Sequence, residues 1–236
     1  MRIVLALMAV LLGCAAPESP AAAGPPKQLV IPGLTEYERP NATLIPGRLF
    51  PLGWSRDGKL AYVYEPPDEA CGCYFFRLVV QDLVSDKVLW EYKYDSGDLT
   101  KPGEMSSMAE VWGANSKDFE ARLRSFGIVR SDAVLQPLSS RLEAAFHTSM
   151  VTENPFGFPY ISAYEIEMRS PQGAKTIFKS GQLEPGPLKV SSPGYFASPF
   201  EERIAVVVQE TWRGWEGPPH TARFRLVGCH LRTGWR

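Results

Sequence analysis

Residues 51–65 read PLGWSRDGKLAYVYE, and the stretch that follows decides the fold class. Arg56-Asp57-Gly58-Lys59 is a turn signal, because Asp-Gly accepts the positive backbone angles of tight turns. Leu60 to Tyr64 is rich in β-formers. A loop from Pro66 to Cys73 leads to a second strand, YFFRLVVQDL, over Tyr74–Leu83. Ser85-Asp86-Lys87 turns the chain into a third, VLWEYKY, over Val88–Tyr94, where Trp90, Tyr92 and Tyr94 share one face.

The same order returns near the C-terminus. Ser198 to Arg203 reads as a turn, Ile204 to Gln209 as a strand, Glu210 to Thr221 as a loop and Arg223 to Leu231 as a strand. Phe76-Arg77-Leu78-Val79 and Phe224-Arg225-Leu226-Val227 are identical, and Leu83 and Leu231 match at the same offset. The expected fold is therefore mainly β. Antiparallel sheets are built from two repeated blade-like units, closing as a sandwich, a small barrel or a partial propeller, with one or two short helices. A hairpin is expected from Ile161–Ser170 and Thr176–Lys179. Ser116 to Phe126 reads as a short helix, capped by Asn115 or Ser116, with Phe119, Leu123 and Phe126 on one stripe. Ser139 to Phe146 reads as a second helical turn or two.

GWSRDGKLAYV, residues 53–63, resembles the blade-opening motif of WD-repeat-like and Tol-associated propellers. The later run Ser198-Pro199, Ile204–Val207, Gly214-Trp215-Glu216-Gly217-Pro218 and Phe224–Val227 is similar to the end of a family of predicted secreted proteins of unknown function. Phe200-Glu201-Glu202 stands where that pattern has an Asp-Gly turn. The resemblance implies a secreted β-rich fold. Blades of about 40–45 residues would allow only about five in a chain of this length, so a sandwich or small barrel fits better than a full propeller.

The N-terminus carries an address. Ile3 to Leu12 is an unbroken apolar run of ten residues after Arg2. It is shorter than the roughly 20 residues that span a bilayer as a helix and matches the apolar core of a secretory signal. Leu11-Leu12-Gly13-Cys14 resembles the bacterial lipobox. That resemblance implies cleavage before Cys14 and acylation of its thiol and new amine, since stable anchoring takes more than one acyl chain. Residues 1–13 are thus expected to be a signal peptide. Residues 14–28, rich in Pro and Ala, form a tether, and 29–236 a single β-rich domain. No Asp follows Cys14 directly, which by the same resemblance points to the outer membrane, facing the periplasm or the cell surface.

Charge narrows the partners. With residues 1–13 removed, 24 basic residues face 26 acidic ones, a net charge of −2. No basic stripe is present, so nucleic acid is an unexpected partner. The expected partners are the bilayer, through acylated Cys14, and an envelope protein or cell-wall component.

Three features stand out for chemistry. Subtracting Cys14 leaves three thiols, Cys71, Cys73 and Cys229. In an oxidising compartment these give a Cys71–Cys73 disulfide, a bond from either to Cys229, or free thiols, with one thiol spare in any disulfide scheme. A metal or redox site is the other reading of Cys71-Gly72-Cys73, although its spacing is not the usual zinc pattern. The loop Trp212-Arg213-Gly214-Trp215 offers either a recognition platform or rings folded back as a plug. Hydrolase chemistry would have to draw on His147, His220 or His230, with Asp68-Glu69 or Glu201-Glu202 as carboxylates. None sits in a nucleophile-elbow or zinc-protease motif. No catalytic residue, cofactor or metal ligand is assigned from the sequence. The expected role is a membrane-anchored envelope module for binding or structure. The alternative is an envelope hydrolase or a metal or redox protein built on the Cys71-Gly72-Cys73 loop.

Overall fold

A computed structural model describes residues 24–34, 43–69, 71–97 and 105–236. The lipobox with Cys14 and most of the tether lie outside the described residues. Among those described are twelve strands and one helix, so the chain is mainly β. No helix among them is long and apolar enough to cross a membrane.

The Asp57-Gly58 turn forms as its chemistry dictates. The Ser55 N–H donates to the Lys59 carbonyl at 2.9 Å, the Ser55 hydroxyl donates to Asp57 at 2.6 Å, and Gly58 takes φ +86°. The turn joins β2 (Arg48–Trp54) to β3 (Lys59–Glu65), and β4 (Phe75–Asp82) and β5 (Lys87–Asp95) follow in an antiparallel meander. With the short β6 (Val129–Arg130), these make a sheet in the order β5-β4-β3-β2-β6. Pro51 lies inside β2, where the pairing with β3 shifts between Pro51 and Gly53. An irregularity of this kind accommodates a residue with no N–H.

The C-terminal sheet has the order β1-β12-β11-β10, from β1 (Leu44–Pro46), β10 (Lys189–Ala197), β11 (Arg203–Trp212) and β12 (His220–His230). Its turn from Ser198 to Arg203 is one residue longer than the Ser55–Lys59 turn, which is how it dispenses with Asp-Gly. The two hairpins nevertheless share one register. Leu78 and Val79 stand opposite Val63 and Tyr62, and Leu226 and Val227 stand opposite Val207 and Val206. The order of turn, strand, loop and strand in the sequence is thus also an order of paired backbones.

Alternation explains how the sheets stack. In β11, Ala205 and Val207 enter one core and Ile204, Val206 and Val208 another. The first core lies between this sheet and β2–β3, around Leu49, Trp54, Leu60 and Phe196. The second lies against β7 (Glu143–Val151), β8 (Tyr160–Ser170) and β9 (Gly173–Lys179), around Tyr164, Ile166 and Met168. A strand buried on both faces reads as a continuous apolar run, as IAVVV does. The remaining face of the β2–β5 meander packs on α1 (Met108–Ser125) through Phe76, Leu78, Val111, Trp112 and Phe119. The architecture is a layered β-sandwich with one curled side. β1 pairs in parallel with β12 and then runs on into β2, so the two larger sheets are joined into a half-barrel.

Two local expectations are corrected. The helix starts at Met108, not Ser116, and its N-cap is Ser107, with Glu110 accepting from the Ser106 N–H at 2.7 Å. Burial of Val111 and Trp112 against the sheet draws the first turns into the helix. Asn115 caps nothing, and its amide donates back to the Val111 carbonyl at 2.8 Å. The segment 139–146 is not helical. Ser139 and Leu142 close a tight turn, and β7 begins at Glu143. There Leu142, Ala144 and Phe146 enter the core at every second residue, a strand period.

Candidate functional site: the mouth of the half-barrel

The curl leaves an opening. β12 is flanked by β1 only at His220–Ala222. Beyond that point the chain has crossed to β2, and the outer edge of Arg223–His230 faces the meander sheet. Side chains from that sheet meet the edge backbone. The Phe224 N–H donates to the Tyr64 hydroxyl at 3.4 Å, the Gln81 amide donates to the Leu226 carbonyl at 3.0 Å, and the Gly228 N–H donates to Asp86 at 2.8 Å. Polar caps of this kind keep an open strand edge from pairing indiscriminately. A Cβ at Gly228 would run into the Leu83 carbonyl, so the approach requires glycine there.

Between the sheets at this edge lies a cleft of about 720 Å³, lined by Tyr62, Tyr64, Arg77 and Glu91 on one side and by Phe178, Trp212, Arg223 and Arg225 on the other. Glu210, 6% exposed, organises the second wall. It accepts from the Tyr164 hydroxyl and, at 3.0 Å, from Trp212 Nε1, and Arg225 Nε lies 3.4 Å away. Each arginine is matched. Arg225 stacks over Phe178 at 4.9 Å, Arg223 stacks over Trp212 at 4.9 Å, and Arg77 lies 3.9 Å from Glu91. Burial pushes the Tyr64 phenol up to about 12 and that of Tyr62 higher still, so both remain neutral hydroxyls. Burial also pushes Asp86 up to about 6. Fixed aromatic faces, planar guanidinium groups and neutral hydroxyls around a concave space suit the binding of a polar ligand with apolar faces.

The two loops singled out in the sequence meet at the rim. Trp212 is half-buried in the cleft wall, whereas Trp215 is 89% exposed, so the plug reading fails for Trp215. Arg213 is exposed, with its guanidinium 4.8 Å over the Phe158 ring. Glu69, beside the cysteine loop, accepts from the Trp215 N–H at 3.2 Å and lies 3.7 Å from Arg223. Cys71 and Cys73 are in close contact, with Cα atoms 5.1 Å apart, which fits a disulfide. Asp68 fastens that loop by accepting the Cys71 and Cys73 N–H groups at 3.2 and 3.1 Å. Cys229 is not a partner to either. It is a free thiol buried among Ile204, Val206 and Val227, and burial raises its pKa. A residue of β12 facing the inner core cannot reach an exposed loop.

The histidines are spread out. His147 is exposed, 3.9 Å from Glu167, while the Nδ1 atoms of His220 and His230 accept backbone N–H groups of Gly214 and Arg232. Glu201 holds Arg203 at 2.9 Å, and Glu202 pairs with Arg232. Among the described residues, no three His, Cys, Asp or Glu side chains are grouped as metal ligands would be.

Arg77, Arg225, Glu210, Tyr164 and Phe178 lie outside the stretches whose local pattern suggests a site. One signal was there to use, since Arg77 and Arg225 are the only polar residues of the repeated Phe-Arg-Leu-Val and both line the cleft. No family model matches the chain, and comparison with curated proteins and with solved structures returns no significant match.

Proposed function

We propose that this chain is a lipid-anchored envelope protein that binds an envelope component, a protein or a piece of the cell wall, in the cleft at the mouth of its half-barrel. The observation that carries the reading is the cleft wall in which Glu210 fixes Trp212 and Arg225 beside Phe178. The lipobox resemblance at Leu11–Cys14 supplies the anchor, on the outer membrane, facing the periplasm or the cell surface. Preorganised aromatic and guanidinium groups of this kind are what binding sites use as anchors.

The test places a photo-crosslinking amino acid at Phe178 in cells, with a second copy at the exposed Glu153 as a control. A discrete adduct from Phe178 that is lost with Arg225→Ala supports the binding reading. An anchored protein that gives the same adducts from both positions overturns it and leaves a structural role.

A second reading is favoured by the contact of Cys71 with Cys73 at the exposed rim. It takes the pair as a disulfide that cycles with envelope thiols. In that case both cysteines would be reduced in part of the protein drawn from cells and quenched in acid, whereas a static disulfide would be uniformly oxidised.

A further inference from the structure

We propose that the Trp215 end of the domain is its membrane-facing end, and that Trp215 inserts into the interface of the bilayer that holds the Cys14 anchor. The inference rests on the lipid-anchor reading above and adds an orientation to it.

Trp215 is not a side chain left outside by a loose loop. The Gly217 N–H donates to the Gly214 carbonyl at 3.1 Å, which puts Trp215 and Glu216 at the tip of a tight turn. The Trp215 N–H is held by Glu69, and the Gly214 N–H by His220. A Cβ at Gly214 would collide with the Pro219 carbonyl, so the two limbs of the loop are in contact. A braced turn that presents a tryptophan at 89% exposure is a presenting device. Indole rings, with an apolar body and one polar N–H, concentrate at membrane–water interfaces.

The chain's own connection points to the same end. Gln28, Cys73 and Pro219 line one cleft, of about 850 Å³, so the N-terminal segment and the base of the loop that carries Trp215 border the same opening. From Cys14 to Gln28 the chain can reach at most about 50 Å. Anchored by its lipid, the chain keeps the domain within that reach of the headgroups, at high effective concentration. Two more groups at this end suit that surface. Phe156 is exposed and reaches the loop through Phe158, and Arg213, over the Phe158 ring, can extend its guanidinium to lipid phosphates.

The experiment uses the full lipidated protein in vesicles of phosphatidylethanolamine and phosphatidylglycerol, with and without acyl-brominated lipid. The fluorescence of Trp215→Phe, a change at an exposed tip, is subtracted from that of the wild type to isolate the Trp215 emission. The expected result is loss of most of that emission to brominated lipid and protection of it from aqueous iodide. Emission that brominated lipid leaves intact and iodide quenches overturns the orientation and assigns Trp215 to solvent or a protein partner. Flotation with vesicles and the mass of the N-terminal peptide separate the two readings. A protein that carries no lipid and does not float brings down the anchor and this proposal together. A lipidated, floating protein with Trp215 in water brings down this proposal alone.

Discussion

Replacing Asp86 with asparagine should stabilise the protein at neutral pH. Asp86 lies in the turn between β4 and β5 at φ 57°, and its Oδ1 accepts the Gly228 N–H at 2.8 Å. Burial dominates its environment and Asp82 adds repulsion, while the Gly228 N–H, Arg203 and Arg225 act in the opposite direction. The carboxyl is thereby raised from 3.8 to about 6. Between those values the folded protein holds a proton that the unfolded chain has released, so stability falls as pH rises through that window. A shift of about 2 units corresponds to about 3 kcal/mol if the site were fully shielded, at 1.36 kcal/mol per unit. Partial exposure reduces this to about 1–2 kcal/mol. Asparagine keeps the acceptor and tolerates the positive φ, and it removes the charge. Urea unfolding at about pH 8 should show Asp86→Asn more stable than wild type by about 1–2 kcal/mol, and the gap should close towards about pH 4. A variant less stable than wild type at about pH 8, or a gap that ignores pH, would mean that Arg203 and Arg225 outweigh burial at Asp86.

Three further outcomes follow from the packing. Phe119 stacks on Phe76 at 5.9 Å and meets Tyr92 at 4.9 Å, so Phe119→Ala should cost about 3–5 kcal/mol in chemical denaturation; a loss under about 1 kcal/mol would mean that α1 is not part of the core. Gly113 lies in the helix with open space around its Cα, whereas a Cβ at Gly228 meets the Leu83 backbone. Gly113→Ala should therefore raise the melting temperature slightly, by about 0.5–1 kcal/mol in stability, while Gly228→Ala should lower it sharply. Thiol titration of the denatured mature protein should find one free thiol, Cys229, without reductant and three with it, and three in both would exclude the Cys71–Cys73 disulfide.

Much of the β architecture is legible in the sequence because it is local. The Ser55–Lys59 turn, the alternation of Leu60–Tyr64 and the unbroken apolar run of Ile204–Val208 each carry their own signal, and the structure pairs the repeated hairpins in one register. β2 and β10 are harder to see because Pro51 and Pro193 interrupt them. Each sits in a strand whose pairing shifts nearby, and that adjustment depends on a neighbouring strand no local pattern can show. The helix start is hidden for a related reason. Ser116 is a good cap in isolation, but burying Trp112 outweighs it.

Of the cleft, only the arginines of the repeated Phe-Arg-Leu-Val and Trp212 leave a trace in the sequence. Tyr164 and Glu210 are 46 residues apart, and Gln81 meets Leu226 across 145. Sequence alone determined the mainly β class, the turns, the odd number of thiols left once Cys14 is set aside, and the two loops worth attention. Long-range packing is what encloses Cys229 and leaves Cys71 and Cys73 at the rim, and what sets Trp212 in the cleft wall with Trp215 outside it. The physical reason is the crossing of the chain from β1 into β2. It curls two sheets into a half-barrel, leaves the edge of β12 open, and so sets which side of each strand is core and which is cleft.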